Sequence, residues 1–238
     1  MDSTLLESEL TRRLGVPLFL AGARRPCPPG RLSPLEREEL RGLQGAQRRA
    51  TWLRGRRAWK RLLERLGQDA DTARLRLPSA RFSLTHGAGL ALAAGVPAGS
   101  AAGLGLDLER ERQPHALPRA QRARREAMAR FFLDDDEREA LASVPASRRA
   151  ALLLQLWTVK EAVYKADPGN RGRILLDYHL VAPLAAVGVA RALDRALAFR
   201  YASLPVPGGF LSVAIVPVPA ASHAHSHRPE RALAAQLL

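Results

Sequence analysis

The chain has 238 residues, 47% of them hydrophobic, which suffices for one large domain or two of roughly 110–120 residues each. Its single cysteine, Cys27, excludes an internal disulfide and fits a reducing compartment. A net charge of +14 calls for an anionic partner or substrate. The arginines are nonetheless scattered among Ala, Leu and Gly, without the basic tail or the signatures of a nucleic-acid-binding module. The N-terminus opens acidic and polar, and the longest weakly charged run is broken by glycines and Pro97. Neither a signal peptide nor a membrane span is expected, so the protein reads as soluble and cytoplasmic.

In chain order, Ser33-Pro34-Leu35-Glu36 carries the signals of a helix start: a serine cap, proline at the first position and glutamate three residues on. A helix is predicted from Gln47 to Leu66, with Trp52, Ala58, Trp59, Leu62, Leu63 and Leu66 at near-helical spacing and a strongly basic remainder. The segment from Arg81 to Gly89 reads as a strand ending in a tight turn, followed by a short strand from Leu90 to Ala94.

Gly103-Leu104-Gly105-Leu106-Asp107-Leu108-Glu109 then alternates with the period of a half-buried strand. Its leucines share one face. Gly103, Gly105, Asp107 and Glu109 share the other, placing two carboxylates beside backbone that no side chain shields.

Residues 111–118 form a polar linker with two prolines, and a helical stretch follows from Ala120 to Phe132. Asp134 to Glu137 resembles a capping box opening a helix to Ala142. A long helix from Arg148 to Ala166 carries Trp157, Glu161 and Lys165 at i, i+4 and i+8, on one face. The loop from Asp167 to Arg173 precedes strand-like runs over 174–181, 197–202 and 210–216, with a turn at 205–209. The tail with His223, His225 and His227 reads as a flexible end. Helices followed by strands in each half predict an α+β fold of two similar subdomains, each a small, mainly antiparallel sheet packed with helices. We place these at residues 1–112 and 113–222, with 223–238 as the tail.

Three carboxylates, Asp107, Glu109 and Glu161, with the ammonium of Lys165, suit a hard divalent cation held against a phosphate. Asp-x-Glu is on its own an ordinary turn entry, and Glu161 with Lys165 an ordinary surface ion pair. Lysine usage argues for more. Of 37 Lys and Arg residues only Lys60, Lys160 and Lys165 are lysine, and two of the three share a short helical segment, which points to a need for a compact ammonium there.

These residues resemble the long, pseudodimeric class of 4′-phosphopantetheinyl transferases. Gly55-Arg56-Arg57-Ala58 is similar to the family's Gly-Arg segment. Phe82-Ser83-Leu84-Thr85-His86 is similar to its Ser-x-Ser-His motif, with threonine for the second serine. Gly105 to Glu109 fits Gly-x-Asp-x-Glu, and Trp157 to Ala166 fits Trp-x-x-Lys-Glu-Ala-x-x-Lys-Ala throughout. The resemblance implies transfer of the phosphopantetheine arm of coenzyme A to a serine of an acyl or peptidyl carrier protein, with release of 3′,5′-ADP. It implies Mg²⁺ on Asp107, Glu109 and Glu161, with Glu161 as ligand, as base, or as both, and Lys165 screening the pyrophosphate. His86 and Thr85 would meet coenzyme A, and Arg49, Arg56 and Lys60 are candidates for its 3′-phosphate. A monomer, an acidic carrier partner and no nucleic acid or membrane partner follow from the same resemblance. The basic Asp167–Arg173 loop leaves the choice of carrier open. Two other readings remain: a basic nucleic-acid binder, and a hydrolase of nucleotide pyrophosphates.

Overall fold

A computed structural model describes residues 3–87, 89–110 and 126–218. Helix α1 (Ser3–Leu14) leads into β1 (Phe19–Ala23), α2 (Pro34–Gly42), α3 (Ala46–Arg65), β2 (Phe82–Gly87) and β3 (Leu90–Gly95). There follow β4 (Gly103–Arg110), α4 (Asp135–Ala142), α5 (Ala146–Ala166), β5 (Tyr178–Leu180), β6 (Val187–Ala192), β7 (Ala198–Val206) and β8 (Gly209–Val216). The fold is α+β, with one three-stranded sheet in the order β1-β3-β2 and one five-stranded sheet in the order β4-β8-β7-β6-β5, antiparallel throughout. Among the described residues no helix is long and apolar enough to cross a membrane.

A common order underlies both halves, namely a strand, two helices and a closing hairpin whose second strand lies beside the first strand; in the C-terminal half β5 and β6 are inserted before that hairpin and extend the sheet. Strand β4, which the sequence groups with the N-terminal half, hydrogen-bonds along its whole length to β8 and so opens the C-terminal sheet. Leu104, Leu106 and Leu108 point into an apolar layer shared with Leu20, Leu92, Leu211 and Val213, between the two sheets. Each such fully buried leucine contributes about 1.5–3 kcal/mol. The outer faces under the helices differ, alanines in the first half and aromatics in the second. α3 lays Trp59, Leu62 and Leu63 on Ala21, Ala23, Ala91 and Ala93. α5 lays Leu156, Val159 and Val163 against Tyr178, Phe199 and Tyr201.

One buried polar unit is built twice. The side chains of Ser33 and Asp134 cap α2 and α4 in capping boxes closed by Glu36 and Glu137. Lys60 of α3 pairs with Glu36 at 2.7 Å, and Lys160 of α5 pairs with Glu137 at 2.7 Å. Each lysine also donates to a backbone carbonyl, of Ala70 and Tyr178, and each glutamate accepts a backbone N–H, from Thr72 at 3.1 Å and Leu180 at 2.8 Å. Burial pushes the Lys160 ammonium below its ordinary pKa, against the pull of Glu137. With every group satisfied, the pairs bridge helix, helix and the segment that follows, a loop at Ala70–Thr72 in one half and β5 in the other.

Both capping boxes and the helices α3 and α5 lie where the sequence puts them, within two residues. Helix α1 and strands β1 and β6 were not anticipated. The run over 174–181 opens with a 3₁₀ turn, Leu175–Asp177, because the Asp177 carboxylate accepts the Ile174 N–H at 2.9 Å; only Tyr178–Leu180 pairs as strand. The stretch predicted helical to Phe132 ends in a 3₁₀ turn at Ala129–Phe131. The predicted linker at 111–118 and the histidine tail lie outside the described residues.

Candidate functional site

Strand β4 places Asp107 and Glu109 beside α5, and the reason is Gly103 and Gly105. A Cβ on Gly105 would lie 1.8 Å from the Ala162 carbonyl oxygen, and one on Gly103 would lie 2.0 Å from that of Ala166. The glycines let the helix rest directly on the strand. This corrects the expectation of bare backbone open to a ligand: α5 covers it, and the closeness is what brings Lys165 to the carboxylates.

Lys165 Nζ donates to Asp107 Oδ1 at 2.7 Å and to the Leu106 carbonyl at 3.3 Å. Thr85 of β2 donates its hydroxyl to the same Oδ1 at 3.0 Å. Asp107 is 4% exposed. Its other oxygen, Oδ2, is buried without a hydrogen-bond partner among the described residues. Glu161 takes no part in an ion pair with Lys165; the ammonium turns to Asp107 instead.

The electrostatics join the remaining groups to this centre. Burial raises the pKa of Glu109, Asp107 and Glu161 add to the shift, and Trp157 and Lys165 oppose it. Burial also raises the pKa of Glu161, opposed by Lys165 and reinforced by Asp107. Partial burial, then the cations Lys165 and Arg54, hold the His86 imidazole below its ordinary pKa. His86 fits there because Gly55 of α3 has no side chain: a Cβ at that position would lie 2.8 Å from its Nε2. Trp157 packs edge-on against Phe132, with ring centroids 5.0 Å apart, and lines an apolar pocket shared with Glu109.

The donor set fits a hard cation. Three carboxylates lie in one field, two of them with the pKa raised first by burial and then by neighbouring carboxylates, and the third has an orphaned buried oxygen; a divalent ion relieves all three costs. Their oxygens are not gathered to one point. Among the described residues, the three groups whose donor atoms lie within 4.8 Å of one another are Asp134, Glu137 and His179. Those atoms already serve the α4 cap, the Lys160 pair and a 2.8 Å contact between His179 Nδ1 and Asp134.

Three residues expected at coenzyme A's 3′-phosphate have other partners. Lys60 is buried in its Glu36 pair. Arg56 binds the Thr72 carbonyl and hydroxyl at 3.1 Å, pairs with Glu39 and lies over Trp52, 4.5 Å from the ring centroid. Arg49 is exposed and donates to the Leu43 carbonyl at 2.8 Å. Thr85 orients Asp107 rather than facing open space. Sequence reasoning missed Ser83, whose Oγ accepts the Leu106 N–H at 3.0 Å, and Arg54 beside His86. The signal for Ser83 was its period-two relation to Thr85, which turns both hydroxyls toward β4.

Residues 103–196 match the family model of the 4′-phosphopantetheinyl transferase superfamily. The matched segment opens at the first residue of β4 and runs beyond α5, so it carries Asp107, Glu109, Glu161 and Lys165. The match supports that superfamily, and phosphopantetheine transfer as the class of chemistry. A search of curated proteins gives no match.

Proposed function

We propose that the protein transfers 4′-phosphopantetheine from coenzyme A to a serine hydroxyl of an acyl or peptidyl carrier protein, in the manner of the long, two-half transferases. The observation that carries this is the joining of Asp107, Glu109, Glu161 and Lys165 across β4 and α5, inside the segment that matches the superfamily. In the reaction the serine Oγ bonds to the phosphorus next to the pantetheine, and the bond from that phosphorus to the bridging oxygen breaks. 3′,5′-ADP departs with the bridging oxygen.

Asp107, Glu109 and Glu161 would hold Mg²⁺, which when bound supplies charge neutralisation at the pyrophosphate oxygens. Lys165 offers a second positive charge to the leaving group. Glu161 would also take the serine proton, directly or through a water. Thr85 fixes the Asp107 carboxylate through Oδ1 and so leaves Oδ2 free for an ion. His86 donates to a phosphate of coenzyme A from its place against Gly55. The net charge of +14 favours an acidic carrier, and the two-half build favours a monomer.

Intact-mass spectrometry of an apo carrier protein incubated with the enzyme, coenzyme A and Mg²⁺ tests the reading. A phosphopantetheine mass gain with wild type, absent with Asp107→Ala and with Glu161→Ala, is expected. Cleavage of coenzyme A with no gain on several unrelated carriers would replace transfer by hydrolysis.

A further inference from the structure

The internal repeat creates a second cleft, and it is chemically the reverse of the first. Where Lys165 of α5 donates to the Leu106 carbonyl of β4, Arg65 of α3 donates to the Leu20 carbonyl of β1. Helix α1 fills the inner part of this cleft, its Glu7 accepting from Arg65 at 2.6 Å and from the Leu20 N–H at 2.7 Å. The outer part stays open as a cavity of about 430 Å³, whose lining includes Arg24, Arg25, Arg57 and Arg61 above Leu20 and Leu92. Counted from the paired buried lysines, Lys60 and Lys160, the counterparts of Arg57 and Arg61 on α5 are Trp157 and Glu161. A carboxylate of one cleft is thus a guanidinium in the other.

No acidic residue lines this cavity, and none of its four arginines forms an ion pair among the described residues. Two are fixed in place: Arg57 Nη1 donates to the Pro26 carbonyl at 3.0 Å, and Arg61 Nη1 to the Gly22 carbonyl at 2.8 Å. Each guanidinium has five N–H donors, so most remain for a ligand. Four cations held around one hollow repel each other, and a guanidinium fork matches phosphate oxygens in pairs. The leucine floor offers surface to an uncharged moiety, and the volume falls in the range of small-molecule sites.

We propose that this cleft is a binding site for an organic phosphate, its anionic group on the arginines and its apolar part over Leu20 and Leu92. The proposal does not depend on the transferase reading, since no residue of the β4–α5 site takes part.

Amide NMR titrations of the full chain with inorganic pyrophosphate and with adenosine 3′,5′-bisphosphate test it. The Gly22, Arg24 and Arg25 amides should shift and saturate with both probes, the nucleotide binding about tenfold more tightly because of the leucine floor. Arg57→Gln with Arg61→Gln should weaken this response by about tenfold or more, while Lys165→Ala leaves it in place. If loss of the two carbonyl anchors unfolds that variant, Arg24→Gln with Arg25→Gln, both exposed, reads the same weakening. Unmoved amides in wild type, or equal shifts with sodium sulfate at matched ionic strength, would overturn the site. Equal affinity for the two probes would overturn the apolar part of the ligand.

Discussion

The two halves share a skeleton and differ in the cleft between the first strand and the long helix. Both keep the capped helix, the buried lysine–glutamate pair and the helix laid on a sheet. Only in the C-terminal half does the first strand carry glycines under the helix and acids beyond it. In the N-terminal half α3 rests on alanines, and its outward positions are arginines. What is common to the halves is thus packing and capping, and what differs is the charge of the cleft between first strand and helix. The buried lysines belong to the first group and Lys165 to the second, although sequence alone makes Lys160 and Lys165 look like one motif.

The sharpest way to break this division is Gly105→Ala. The new Cβ would lie 1.8 Å from the Ala162 carbonyl oxygen and 2.5 Å from the Ala166 amide nitrogen, both backbone atoms that cannot turn aside. The helix must move, so a loss of more than about 4 kcal/mol or failure to fold is expected, read by urea unfolding. Near-wild-type stability would show that the glycines do not set the helix height. Next come Lys60→Met and Lys160→Met. Each strands a buried glutamate, and a cost of about 3–5 kcal/mol is expected for either. Lys160→Met should cost the more, because both members of its pair are wholly buried, whereas the Lys60 side chain retains 4% exposure. Tolerance of one substitution but not the other would mean that the repeated pair no longer does the same job in both halves.

Much of this was legible because it is local. A serine or aspartate followed three residues later by glutamate specifies a capping box whatever surrounds it, and both boxes form. The strand period of 103–109 and the helical spacing of Trp157, Glu161 and Lys165 likewise report faces directly. What stayed hidden depends on contacts distant in sequence. Val187-Gly188-Val189-Ala190 has apolar residues on both faces, so β6 shows no alternation. β1 is a short run of Phe, Leu, Ala and Gly whose free edge is completed by Glu7 and Arg65 from two helices. The glycines of β4 mark a close approach, but the sequence does not say of what. Arg56 and Lys60 sit in a basic helix where any cation can look like a phosphate ligand; only the placement of Thr72, Glu36 and Glu39 shows which are already engaged.

The smallest effect is a matter of sign, and it separates the Glu36 carboxylate from those of the candidate site. In the Glu36 unit burial works to raise the pKa, but Lys60 and Thr72 outweigh it and hold the carboxyl below 4.5. Its contribution to stability is present above 4.5 and lost as pH falls through the lowered folded value. Glu109 and Glu161 run the other way, each raised above 4.5 by burial first. Their folded state binds more protons than the unfolded chain, so their contribution is complete below 4.5 and disappears as pH rises through the raised folded values. In chelator, the urea midpoint should therefore decline over that upper window in wild type and decline less in Glu161→Gln. Mg²⁺ added above the window should restore wild type by binding the folded state and restore Glu161→Gln less. A midpoint indifferent to pH and to Mg²⁺ in both proteins would remove the strongest physical reason for reading Asp107, Glu109 and Glu161 as one cation-binding group. It would leave Lys165 on Asp107 as an ordinary ion pair between a strand and a helix.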